Sequence, residues 1–116
     1  MLLKQAAAQE VRAKYGIEWV VVSDGAKGAI CVGAREAWHG SVEIDCETDV
    51  IVNTVGCGDA MVAGMLDSLL RGWSAEAALK RMIAAASANM LSDGAGIISP
   101  AHLAKMEGRV TATKVA

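Results

Sequence analysis

Asn53-Thr54-Val55-Gly56-Cys57-Gly58-Asp59 is the stretch on which the reading of this 116-residue chain turns. It stands where a short apolar run, residues 50–52, gives way to a helical pattern ending near Arg71. Met61, Val62, Met65, Leu66, Leu69 and Leu70 are the expected apolar face of that helix. An extended segment that turns through two glycines into a helix makes an anion site from backbone alone. The first N–H groups of the helix lack intrahelical partners, and the helix dipole adds positive partial charge. Glycines omit the Cβ atoms that would hold a phosphate away. Asp59, in the first turn, has two readings at this point. It either complements the dipole or serves as a general base beside a phosphate.

Working upstream, Ser23-Asp24-Gly25-Ala26-Lys27-Gly28 comes after an apolar, β-branched run over residues 17–22 that reads as a strand buried on both faces. Ligands of open α/β sheets bind at the carboxyl ends of strands, and Gly25, Gly28 and Lys27 suit phosphates there; an ordinary β-turn is the other reading. Neither GxxxxGK[ST] nor GxGxxG occurs. Residues 2–15 read as a helix with Leu3, Ala7 and Val11 inward, stopped by Gly16. A helix feeding a strand through a glycine turn is half of a βαβ unit, so the chain is read as α/β, starting mid-architecture with Met1 as a cut end. The next strand is expected over 29–33. Two more, near 34–39 and 41–44, are expected to pivot on Gly40 and to form an antiparallel edge on a parallel sheet.

Downstream, Ala60, Ala63 and Gly64 offer places for close approach, and Gly72 ends the helix. Ser74 caps the next one, with Glu76 in its first turn and Leu79, Met82, Ile83, Ala86 and Met90 inward. A loop spans residues 92–96. Ser99-Pro100 opens a short helix that stops at Gly108, and residues 110–115 alternate as a final edge strand.

Composition narrows the function. Hydrophobic residues make up 53% of the chain, enough for a core and against disorder. Eleven basic and thirteen acidic side chains give a net charge of -2, which argues against nucleic-acid binding. No apolar run reaches the roughly 18 residues of a membrane span, and no signal-peptide pattern opens the chain. Three cysteines without CxxC favour neither a zinc site nor a disulfide framework, and point to a reducing cytoplasm. Trp19 and Trp38 read as packing residues and Trp73 as a staple on the helix that Ser74 caps. His39 and His102 read as surface residues, and no metal-ligand cluster is visible.

Residues 53–65, Asn53-Thr54-Val55-Gly56-Cys57-Gly58-Asp59-Ala60-Met61-Val62-Ala63-Gly64-Met65, resemble the C-terminal signature of the PfkB carbohydrate kinases, [DN]TxGAGDxFxxG. The SDGAKG segment resembles that family's S-x-G-x-x-G nucleotide loop. The Ala-rich helix with Asn89, before Asp93-Gly94-Ala95-Gly96, resembles the stretch C-terminal to the signature in these enzymes. The resemblance implies the C-terminal part of a ribokinase-like three-layer α/β/α fold as a single domain over residues 1–116, without the N-terminal sugar-binding half and lid. It implies an ATP-dependent phosphotransferase acting on a hydroxyl of a sugar or sugar phosphate, with Mg2+ arriving on the ATP. Asp59 would be the base, and Gly56, Cys57 and Gly58 the anion hole. Ser23, Asp24, Gly25, Ala26, Lys27 and Gly28 would line the ATP phosphates, and Asn89 would lie near the adenine or ribose.

The sequence departs from the pattern at Cys57, where Ala or Ser is usual; a tolerated small residue and an oxidisable thiol are the two readings. Asn53 replaces the Asp common in ribokinases. This weakens a monovalent-cation site and leans toward the branch acting on phosphorylated hexoses: 1-phosphofructokinase, 6-phosphofructokinase of the minor type and tagatose-6-phosphate kinase. With no sugar pocket encoded, the isolated chain is expected to be inactive. The alternatives are a non-catalytic nucleotide-binding or self-assembling module, with homo-oligomers formed through exposed strand edges, and a kinase of this fold acting on a nucleoside or vitamin precursor.

Overall fold

A computed structural model describes residues 2–45 and 47–115; Met1, read above as a cut end, and Cys46 lie outside the described residues. The elements run α1 (Leu2–Tyr15), β1 (Val20–Ser23), a 3-10 turn (Gly25–Lys27), β2 (Ala29–Val32), β3 (Ala37–Val42), α2 (Cys57–Leu70), α3 (Ala75–Met90), α4 (Pro100–Glu107) and β4 (Val110–Lys114). The strands form one sheet in the order β1-β2-β3-β4. One layer of helix lies on each face, which gives the expected α/β/α sandwich. No helix among the described residues is long and apolar enough to cross a membrane.

Three details of the sheet differ from expectation. Every pairing is antiparallel, with Val21 opposite Cys31, Cys31 opposite Trp38 and Gly40 opposite Ala112. The strands described are thus the antiparallel portion alone. β3 also passes straight through Gly40, with no pivot there. A Cβ on Gly40 would stand 2.5 Å from Ile83 Cδ1 and 3.2 Å from Leu79, so this glycine lets α3 lie close on the sheet. Residues 17–19 do not join β1, whose valines are only half buried because β1 is an edge of the sheet.

Strand alternation sorts the core into two layers. Ile30, Val32 and Ala37 face α1 through Ala8, while Ala29, Cys31 and Val110 face Leu79, Ile83 and Ala84 of α3 and Met106 of α4. Burial lifts the Cys31 thiol to about 11, leaving it protonated and inert. α1 does not bury its Leu3 and Val11 side, which is exposed; Ala8 faces the sheet because its small side chain allows close approach. α2 behaves likewise. Its buried line is Ala60, Gly64 and Ser68, and a Cβ on Gly64 would stand 3.0 Å from Met82 Cα on α3. Val62, Leu66, Leu69 and Leu70, expected inward, are exposed. Trp73, read as a staple, lies beside the guanidinium groups of Arg71 and Arg81, 5.6 and 4.9 Å from its ring.

The stretch before the site loop is tied down by Asp49, whose side chain has no exposed surface. Asp49 accepts from Lys105 Nζ at 2.7 Å, from Arg109, and from the Asp45 N–H at 2.8 Å. These donors, the Lys105 hydrogen bond foremost, hold its carboxyl far below the ordinary carboxylate range. The folded state therefore binds this proton more weakly than the unfolded chain, whose Asp titrates near about 4. The contribution to stability is complete above that value and is lost as pH falls below it. Urea midpoints measured from pH 6 downward should fall steeply below about pH 4. Asp49→Asn should start lower at pH 6 and take a flatter course; parallel curves would remove Asp49 from this role.

Candidate active site

α2 opens on Gly56 at φ 86°, ψ 2°, a left-handed conformation, with no side chain capping the helix. Glycine is required twice over. The backbone angle disfavours any L side chain, and a Cβ would meet Gly96 N at 2.9 Å and the Ala95 Cβ at 3.0 Å. The turn is held from below by Ala60 N–H donating to Gly56 O at 2.9 Å, while Cys57 N reaches Thr54 O only at 3.5 Å. A Cβ on Gly58 would meet nothing within 4 Å. Gly58 and Asp59 are both exposed. No side chain caps the head of α2, where the Cys57 N–H makes only the long bond to Thr54 O, and Asp59 stands in the same first turn.

Asn53 shapes the approach to that turn. Its Oδ1 accepts from Val55 N–H at 3.0 Å and its Nδ2 donates to Ser92 O at 3.0 Å. Val52 N–H donates to Met90 O at 2.8 Å, although residues 50–52 form no strand. The loop 53–58 is thus fastened to the end of α3 and the loop after it. Asn89, expected near adenine or ribose, is wholly buried. Its amide is spent on protein: Nδ2 donates to Val55 O at 2.8 Å and lies 3.5 Å from Cys57 Sγ, and Oδ1 accepts from Gly96 N–H at 2.8 Å. As it stands, the Asn89 side chain presents no surface of its own to a ligand.

The second loop is folded tightly on the sheet. Gly25 (φ 54°) and Gly28 (φ 98°) both take positive φ, and Asp24 N–H donates to Gly28 O at 2.8 Å. Asp24 pairs with Lys4 of α1, which lowers its pKa chiefly through that hydrogen bond. Its carboxylate is thus engaged by α1, while Ser23, Gly25, Ala26 and Lys27 are exposed. His39, read as a surface residue, lies half-buried on β3 with Nε2 3.0 Å from Lys27 O. A carbonyl only accepts, so Nε2 carries the hydrogen. Local sequence gives no sign of this contact; the β2–β3 register creates it by setting Ile30 opposite His39.

The structure thus gathers Gly56, Cys57, Asn53 and Asn89 with Ala95 and Gly96 into one cluster, and holds the SDGAKG loop separately against β3 and α1. Two surface clefts, one lined by Glu43, Ile44, Asp45 and Arg109 and the other by Arg12, Glu18, Trp19, Ala34, Arg35 and Glu36, include no residue of either loop. Among the described residues no group of three or more His, Cys, Asp or Glu side chains is arranged to hold a metal.

Residues 3–102 match the family model of the pfkB family carbohydrate kinases. The chain is 38% identical over 104 residues to a 1-phosphofructokinase of Escherichia coli, covering 90% of this chain and 32% of that protein. It is 39% identical over 89 residues to an ATP-dependent 6-phosphofructokinase isozyme 2 of Mycobacterium tuberculosis, covering 77% of this chain and 25% of that protein. Among solved structures, the phosphofructokinase-2 of Escherichia coli in complex with potassium superposes with a TM-score of 0.78 at 30% identity, covering 89% of this chain and 32% of that one. The chain spans between about a quarter and a third of the length of these two curated relatives.

Proposed function

The chain belongs to the pfkB family of carbohydrate kinases, and from that premise we propose that it is the C-terminal, nucleotide-binding portion of an ATP-dependent sugar or sugar-phosphate kinase of phosphofructokinase type. The observation that carries the reading is the uncapped, left-handed start of α2 at Gly56, with Asp59 exposed one turn on. In this reading the substrate is the Mg2+ complex of ATP. The N–H groups of Gly56, Cys57 and Gly58 hold the γ-phosphoryl oxygens, and the SDGAKG loop takes the remaining phosphates. Asp59 accepts the proton of the acceptor hydroxyl as that oxygen bonds to the γ-phosphorus. The bond from phosphorus to the β-phosphate oxygen breaks, and ADP leaves. Phosphoryl transfer of this kind needs placement and charge neutralisation more than covalent chemistry, which backbone donors and one carboxylate supply. Contacts to the acceptor come from the two-thirds of the relatives' length that this chain does not span.

Calorimetry with MgATP beside a coupled assay on fructose 1-phosphate, fructose 6-phosphate and tagatose 6-phosphate tests the proposal. The isolated chain should bind MgATP and turn over none of the three. Absence of MgATP binding would end the phosphate reading, and robust turnover would show that the chain holds an acceptor site of its own.

A second reading, self-association, is favoured by the apolar side of α2, where Val62 is 50%, Leu66 53%, Leu69 60% and Leu70 89% exposed. A continuous apolar helix face of this kind drives contact between copies in water. Light scattering should show a mass that rises with concentration and falls back to the monomer in Leu66→Lys.

A further inference from the structure

We propose that Asn89 is a positioning residue for the peptide nitrogens of the Gly56 turn, acting from beneath it and not on the nucleotide. The inference rests on the reading of that turn as the phosphate site. Asn89 sits in the last turn of α3, on a helix whose other buried residues are aliphatic or small apart from Ser87. An aliphatic side chain there would be buried at no polar cost, whereas a carboxamide is tolerated only with its hydrogen bonds made.

Those bonds converge on one place. The Nδ2 group reaches Val55 O at 2.8 Å, one residue before Gly56, and Cys57 Sγ at 3.5 Å, one residue after it. Oδ1 takes the Gly96 N–H at 2.8 Å, and Gly96 N is also the atom that a Cβ on Gly56 would approach to 2.9 Å. One planar group therefore fixes both flanks of the left-handed glycine and the loop packed on it. Asn53 repeats the tie from the other side through Val55 N and Ser92 O. The amides of Cys57 and Gly58 point where Val55 and Cys57 are held, and a site of this kind tolerates only about 0.5 Å of error. Cys57 gains a role in the same arrangement, its sulfur accepting the second Nδ2 hydrogen where an alanine would leave it unbonded.

The test uses the complete 116-residue chain with Asn89→Ala, Asn89→Asp and a control, Ser87→Ala. Ser87 is also a buried polar residue of α3, but its hydroxyl donates to Ile83 O within the helix and touches neither loop. The readouts are amide hydrogen exchange at Gly96 and MgATP affinity by calorimetry, at a temperature where thermal melts show every variant folded. Asn89→Ala should speed Gly96 exchange and weaken MgATP by roughly tenfold or more, the scale of one buried hydrogen bond left unmade. Asn89→Asp keeps an acceptor for Gly96 N–H and loses the donors to Val55 O and Cys57 Sγ. It should preserve Gly96 protection and still weaken MgATP at least as much. Ser87→Ala should leave both readouts within about twofold of wild type. Equal weakening by Ser87→Ala, or wild-type affinity in both Asn89 variants, overturns the proposal. If the wild-type chain binds no MgATP, the phosphate reading has failed separately. The exchange arm then decides, and unchanged Gly96 protection in Asn89→Ala overturns the positioning role of Asn89.

Discussion

Replacing Asp59 by Asn is expected to lower turnover by roughly 10²–10⁴-fold, the usual worth of a positioned general base, while changing MgATP affinity little. The measurement needs a protein with an acceptor site. It is made by joining the chain to the remaining two-thirds of the Escherichia coli 1-phosphofructokinase that it matches. Asn is the informative replacement because it keeps the size of the side chain and every backbone N–H of the α2 start, so the anion site survives while the proton acceptor is lost. The competing reading of Asp59 makes an opposite forecast. A carboxylate in the first turn of a helix stabilises it by about 0.3–1 kcal/mol through the dipole. If that were its whole role, Asp59→Asn would lower the melting temperature slightly and leave turnover intact. A drop in kcat with an unchanged Kd for MgATP assigns the proton transfer to Asp59. Turnover within a few-fold of the parent, with a lowered melting temperature, leaves it a dipole residue only.

How far the sequence could be read depends on the range of the interaction concerned. The starts and stops of α1 to α4 were legible because capping is local: Gly16, Ser74, Ser99-Pro100 and Gly108 act within a turn of where they stand. The Gly56 turn was legible for the same reason, since two glycines before a helical pattern leave few conformations. The inward faces of α1 and α2 were not. Periodicity marks the larger apolar residues, whereas close helix packing selected Ala8 and the line Ala60, Gly64 and Ser68. Gly40 misled in a related way. A glycine between apolar residues reads as a turn, and here it is the space that Ile83 and Leu79 occupy over a continuous strand. The contacts of Asn89 and Asp49 lay out of reach. Their partners are Val55, 34 residues away, and Lys105 and Arg109, 56 and 60 residues away.

Adding a single methyl group at Gly28 is expected to cost as much stability as truncating a large core side chain. The Cβ of an alanine there would stand 1.9 Å from Gly40 O, 2.9 Å from Gly40 C and 3.0 Å from Ser41 Cα, all backbone atoms of β3. No rotamer relieves such a clash, because the obstacle is the neighbouring strand itself. Gly28 also has φ 98° and ψ -135°, a region that only glycine occupies at low cost. Its N–H and C=O close the loop onto Gly25 O and Asp24 N, so the turn has no slack through which to move away. Strain and overpacking together come to about 3 kcal/mol or more, which lowers the melting temperature by roughly 10 °C or more in a domain of this size. Gly25 provides the contrast within the same loop. A Cβ there meets nothing within 4 Å, and only its φ of 54° opposes a side chain. Gly25→Ala should therefore cost about 1 kcal/mol and stay folded. Thermal melts of the two variants decide the matter, and equal melting temperatures would mean that β3 does not brace the loop. The contrast reaches function because the clash at Gly28 and the His39 contact to Lys27 O come from the same strand. The loop proposed to take the ATP phosphates owes its position to the sheet, so a carbon added at Gly28 is expected to disturb the fold before any nucleotide binding.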